Sequence, residues 1–147
     1  MKTLILRNSI LRATFIAGLL PALVLLLSIQ TSHAGSATWL ATPATGDWNT
    51  AANWTAGGPP NGSADTATFA SSNITGVSLS LNTEVNGILF NTGGSAFTIT
   101  ANPMFTLTIS GVGMTNNSGT TQNLVADIDG AGNFGTIAFT NSATAGS

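Results

Sequence analysis

Five side chains beyond the first segment could exchange a proton or hold a cation: Asp47, Asp65, Glu84, Asp127 and Asp129. Two carboxylates suffice for glycoside hydrolysis, so the five form the pool from which a catalytic pair would be drawn. Their contexts argue for a plainer role. Asp47 and Asp65 sit in turn-like sequence, where an aspartate bonds its own backbone. Glu84 follows Asn82-Thr83 at an expected corner. Asp127-Ile128-Asp129-Gly130 places alternating acids before a glycine, as calcium loops do, but the further acids and closing Glu of such a loop do not follow. An Asp-Gly turn is the expectation there, and no metal or cofactor is expected.

Nucleophilic chemistry is short of parts. Beyond residue 34 the chain has no His, Cys, Lys, Arg or Tyr. Ser-His, Cys-His and lysine-based arrangements are therefore unavailable to that part, and no catalytic residue is assigned. Trp48 and Trp54 offer two other readings. Exposed, they would stack on sugars; buried with Phe69, they would cap the end of a stacked fold, and the cap is favoured because such an end needs a cover. Asn53-Trp54-Thr55, Asn61-Gly62-Ser63, Asn73-Ile74-Thr75 and Asn116-Asn117-Ser118 fit the N-glycosylation pattern, which chance alone supplies in a chain so rich in Asn, Ser and Thr.

The missing bases are all at the start. Lys2, Arg7 and Arg12 precede the apolar run Phe15–Ile29, which Pro21 interrupts, and Gln30-Thr31-Ser32-His33-Ala34 is short and polar. This is the layout of a secretory signal peptide, with small residues at Ser32 and Ala34 for cleavage between Ala34 and Gly35. The apolar run, about 15 residues, is shorter than the roughly 20 that span a bilayer, which disfavours an uncleaved anchor. The remaining chain, about 113 residues, carries five acids and no base, a net charge of −5. It lacks the cations that neutralise nucleic-acid phosphates or meet anionic lipids, so neither nucleic acid nor membrane insertion is expected of it. With no cysteine, backbone pairing and packing must stabilise it.

The elements that would position these residues are strands. Residues 35–65 form a Trp-rich segment, and residues 66–147 alternate apolar with Thr, Ser or Asn. The runs are Thr66–Ala70, Val77/Leu79/Leu81, Ile88/Phe90, Phe97/Ile99, Phe105/Leu107/Ile109, Leu124/Ala126/Ile128 and Ile137/Phe139. Turn formers separate them: Asn73, Asn86-Gly87, Asn91–Gly94, Asn102-Pro103, Asn116–Gly119 and Asp129-Gly130. A helical period is absent. Run centres about 9 to 10 residues apart over 77–109 fit either an antiparallel β-sandwich or a parallel β-solenoid. Composition favours the solenoid. Charges repeated on stacked strands would repel, whereas Thr, Ser, Asn and Gly are tolerated, and a sandwich would carry lysines on its edges.

Several segments also resemble a known family. Gly46-Asp47-Trp48-Asn49-Thr50-Ala51-Ala52-Asn53-Trp54, then Pro59-Pro60-Asn61-Gly62 and Asp65-Thr66-Ala67-Thr68-Phe69, are similar to the opening of autotransporter-type exported β-solenoid passengers. Val85–Asn91 resembles their second coil, and Gly111–Gly119 with Thr121-Gln122-Asn123 a later one. The likeness spans about Trp39 to Asp127. It implies a right-handed parallel β-helix at a bacterial surface or in secreted material, usually followed by more coils and an outer-membrane barrel or sorting anchor. The expectation is an exported, extracellular or surface-located structural or adhesive module without catalytic activity. Its partners would be surface or matrix polysaccharide or protein, with self-association through an open solenoid end. The rivals are a carbohydrate-binding or carbohydrate-active β-helix and a gene fragment without function.

Overall fold

The computed structural model describes residues 35–146; the expected signal segment, Ala34 included, and Ser147 lie outside them. Among the described residues are eight strands: β1 (Ala37–Thr38), β2 (Gly62–Phe69), β3 (Gly76–Ser78), β4 (Thr83–Phe90), β5 (Thr98–Ala101), β6 (Thr106–Asn116), β7 (Asn123–Ala126) and β8 (Thr136–Phe139). The helical pieces among the described residues are two 3-10 turns, Ala51–Asn53 and Thr55–Gly57. The chain is all-β.

Two sheets form, in the orders β1-β2-β4-β6-β8 and β3-β5-β7. Every ladder is parallel. A parallel neighbour cannot be reached by a tight hairpin, since the chain must return to the starting side. Beyond β1 and β2, which share a sheet, the return runs through the other sheet: from β3 onward each strand joins the sheet that its predecessor did not. The hairpin-linked antiparallel sandwich is therefore not what forms. The antiparallel contacts among the described residues are isolated bridges, Trp39 with Trp54 and Ile128 with Phe134.

Registers place like on like. Val77 lies beside Ile99 and Ile99 beside Leu124, at separations of 22 and 25 residues. Ala67, Ile88 and Met114 align in the larger sheet, as do Val85, Ile109 and Phe139. The period-2 pattern explains which way each points. Val85, Ile88, Phe90, Ile99, Leu107 and Ile109 are buried in one core cluster fed by both sheets. Thr68, Ser78, Thr98, Thr100 and Thr108 alternate with buried positions and are half-exposed. Phe69 and Phe90, register partners, stack at 5.4 Å with their planes 24° apart.

Some boundaries differ from the sequence expectation. β2 begins at Gly62 rather than Thr66, so Asp65 belongs to a strand, and β1 within the Trp-rich segment already pairs with β2. Glu84 is likewise in a strand, not a corner. Asn86-Gly87 is not a turn but lies inside β4. A Cβ on Gly87 would sit 2.6 Å from the Gly113 carbonyl oxygen, so the glycine permits neighbouring backbones to approach. The Gly-rich stretch after Ile109 is strand as well. Ile109 pairs Val85 and Gly113 pairs Gly87, so Ser110, Gly111 and Val112 face the single residue Asn86 in a bulge.

Side-chain amides bind one level of the stack to the next. The Oδ1 of Asn49 accepts from the backbone N–H of Ser80 (2.9 Å) and Leu81 (3.0 Å). Asn61 Oδ1 accepts from Glu84 N–H at 3.0 Å, and Asn82 Oδ1 from Thr106 N–H at 2.9 Å. These bonds satisfy backbone donors at the starts of β4 and β6 and in the link from β3 to β4. Among the described residues no buried side-chain nitrogen or oxygen lacks a partner.

Candidate functional site

The carboxylates are committed locally. Asp47 accepts from Asn49 N–H (3.3 Å) and, through Oδ2, from the Thr50 hydroxyl (2.8 Å), just ahead of the first 3-10 turn. Asp65 is buried, and its Oδ2 accepts from Asn61 N–H at 3.3 Å. Asp127 accepts from Ile128 N–H at 2.9 Å. No two of these carboxylates share a bonding group. Glu84 is half-buried beside an open groove of about 360 Å³ that also includes Asn61, Asn82 and Thr106.

Asp129 organises its own loop. Its Oδ1 accepts from the N–H of Ala131 and of Asn133, both at 2.9 Å, and its Oδ2 accepts from the Asn133 amide at 2.7 Å. The Asn133 side-chain bond, then the Asn133 backbone donor, hold this carboxyl below the ordinary aspartate value against an opposing desolvation, with lesser help from the Ala131 and Gly132 donors. The oxygens that a calcium loop would turn toward an ion are turned toward N–H groups instead. Among the described residues no cluster of three His, Cys, Asp or Glu side chains is placed to hold a metal.

The tryptophans lie inside. Trp39, Trp48 and Trp54 are 1, 0 and 3 % exposed, so no indole offers a face on which a sugar could stack. Trp54 meets Trp39 edge-on at 5.1 Å and Trp48 at 5.0 Å, and all three touch Phe69. Each indole N–H is satisfied: Trp39 donates to Ile74 O (3.1 Å), Trp48 to Pro60 O (3.1 Å) and Trp54 to Trp48 O (2.6 Å). Asn53, a sequon match, is also fully buried. It donates to Thr45 Oγ1 and Asp47 O and accepts from Thr45 N–H, so its nitrogen is not open to a glycan in the folded chain. Asn61, Asn73 and Asn116 are exposed. Gly35, on the far side of the expected cleavage point, is exposed.

A hollow of about 500 Å³ lies where β6, β7 and β8 end the stack, with Met114, Leu124, Ile137 and Phe139 on one side and Asn116 and Gln122 on the other. Its cause is a change of residue type at fixed register. Asn116 pairs with Phe90, and Gln122 stands beside Phe97, one position before the Thr98–Asn123 pair. Gln122 replaces an aromatic ring by bonds: Oε1 accepts from Phe97 N–H (2.7 Å), and Nε2 donates to Ser95 O (3.1 Å) and Ser118 Oγ (2.9 Å). Aligning Phe97-x-Ile99 with Gln122-x-Leu124 exposes the swap in the sequence, but only once the level-to-level register is known.

Comparison with known proteins finds no matching family model, no matching curated protein and no matching solved structure.

Proposed function

We propose that this chain forms the first coils of an exported right-handed β-solenoid that acts outside the cell as a structural or adhesive module rather than an enzyme. The observation that carries the reading is the alternation of the chain between two in-register parallel stacks. Each pass through both sheets is one coil, and each coil buries its apolar face on the one before. The buried tryptophans cover the first coil as a cap, which a solenoid end requires. Outward Thr and Ser, among them Thr68, Ser78, Thr98 and Thr100, give the rod an uncharged hydroxyl surface for many weak polar contacts. The resemblance to autotransporter-type passengers, read from the Trp-rich opening and the two coil-like segments after it, supports the same role.

The test is to express the full chain in a bacterium, fractionate the cells and sequence the N-terminus of the product. The expected product begins at Gly35 and is found in the medium or is digested by proteinase K added to intact cells. A product that keeps Met1 and stays in the cytoplasm overturns the export reading. Catalytic turnover of a polysaccharide by the purified product overturns the non-enzymatic one.

A further inference from the structure

The groove beside Glu84 lies on the outer face of the larger sheet, across the starts of β2, β4 and β6. Described strands flank it on both sides, β1 beyond β2 and β8 beyond β6, so it belongs to the side of the stack and not to an end. Strands added beyond β8 would extend the sheet and leave this face as it is. Register builds the lining. Glu84 pairs with Thr108, and Asn82 and Thr106 each stand two residues earlier, so the four share one face. Asn61 joins the Glu84 row, its Oδ1 accepting from Glu84 N–H at 3.0 Å. A backbone N–H can meet only the amide oxygen, so Asn61 on Glu84 and Asn82 on Thr106 keep their NH2 groups for another acceptor. Among the described residues nothing bonds those two NH2 groups, the Glu84 carboxylate, or the hydroxyls of Thr106 and Thr108. The buried polar side chains are all paired; the groove gathers polar groups that are not.

We propose that this groove binds an amino sugar, a hydroxyl-rich saccharide whose protonated amine sits on Glu84 and whose ring hydroxyls meet Asn61, Asn82, Thr106 and Thr108. Anionic ligands are disfavoured, since no side chain beyond residue 34 is basic. A peptide has no mode of entry. The groove is on a sheet face, with strand-start N–H groups already taken by Asn61 and Asn82, so no strand can be added, and its lining is too polar for an amphipathic helix. A neutral sugar would cover the carboxylate without supplying a counter-charge, a cost that a cation removes. The indoles are buried, so recognition is by hydrogen bonds and one ion pair, not by stacking. Three strands spaced about 4.8 Å apart give the row a span of about 10 Å, room for about two sugar rings. The proposal rests on the adhesive reading above and gives it a ligand class. Binding is read on purified protein, so its failure leaves the export test untouched.

The test is calorimetric titration of the purified full chain with a glucosamine tetramer and with the same tetramer N-acetylated. The amino form should bind roughly tenfold or more tightly, and Glu84→Gln, which keeps the side chain's size, should remove that preference. Thr108→Val keeps the shape and loses the hydroxyl; it should weaken both forms roughly threefold to tenfold while its circular dichroism stays that of the parent. Asp127→Asn removes the same charge outside the groove and should leave the affinity as it is. Equal affinity for the two tetramers, no saturable heat with the amino form, or full affinity in Thr108→Val overturns the proposal. Equal losses in Asp127→Asn and Glu84→Gln overturn it too, because they reduce binding to the attraction of an acidic chain for any polycation.

Discussion

Asp129 shows how one acid can shape a loop without serving a ligand. Because its carboxyl is held below the ordinary aspartate value by N–H donors, the order it provides is fully present above the unfolded-chain pKa. That order is lost as pH falls through the lowered native value. The amide resonances of Ala131 and Asn133 should therefore hold constant from pH 7 to about 5 and shift only below the ordinary carboxylate range, near pH 4. Asp129→Asn should abolish the shift, and its persistence in that variant would sink the assignment. Trp48 belongs to the same scale. It is wholly buried against Trp54 and Phe69 with its N–H bonded to Pro60. Trp48→Ala should cost about 3–5 kcal/mol in urea unfolding. Asn53→Ala should also destabilise, by about 1–3 kcal/mol, because it strands the Thr45 N–H and the Asp47 carbonyl.

At the scale of elements, the bulge in β6 is the least forgiving place. Gly113 has φ +84°, and a Cβ there would clash with the Thr144 backbone. Gly113→Ala combines left-handed backbone strain with backbone contact and should cost roughly 1–3 kcal/mol or more. Gly130→Ala, which meets nothing within 4 Å, should leave the unfolding midpoint near the parent's. Comparable midpoints would contradict the bulge geometry. These elements were unevenly legible in the sequence. Period-2 alternation exposed the core of most strands, where Val77, Leu79, Ile99, Leu107 and Ile109 are buried, but it failed at the ends of two runs, where Leu81, Ala126 and Ile128 are exposed. It misread Asn86-Gly87, since glycine signals a turn locally and here serves close backbone approach from a strand more than 20 residues away. The polar end of the stack stayed hidden for a similar reason. Asn116 and Gln122 look like loop residues until register sets them over Phe90 and beside Phe97.

Across the whole described unit, most contacts join residues far apart in sequence. Parallel pairing must close long loops before any ladder bond forms, so refolding should be slow for a chain this size, on the order of milliseconds to seconds. A microsecond refolding phase carrying the full amplitude in stopped-flow or temperature-jump experiments would contradict the topology. One geometric fact bears on load. The strands lie side by side with β1 at one edge of the larger sheet and β8 at the other, and the ladder bonds point from each strand to the next. Tension applied between residue 35 and residue 146 therefore pulls along those bonds, opening them one level at a time instead of shearing a whole sheet at once. The molecule would yield as a peeling tape does, in small successive steps, starting at the level around Phe139, whose core face is half open, and stopping longest at the aromatic cluster around Phe69.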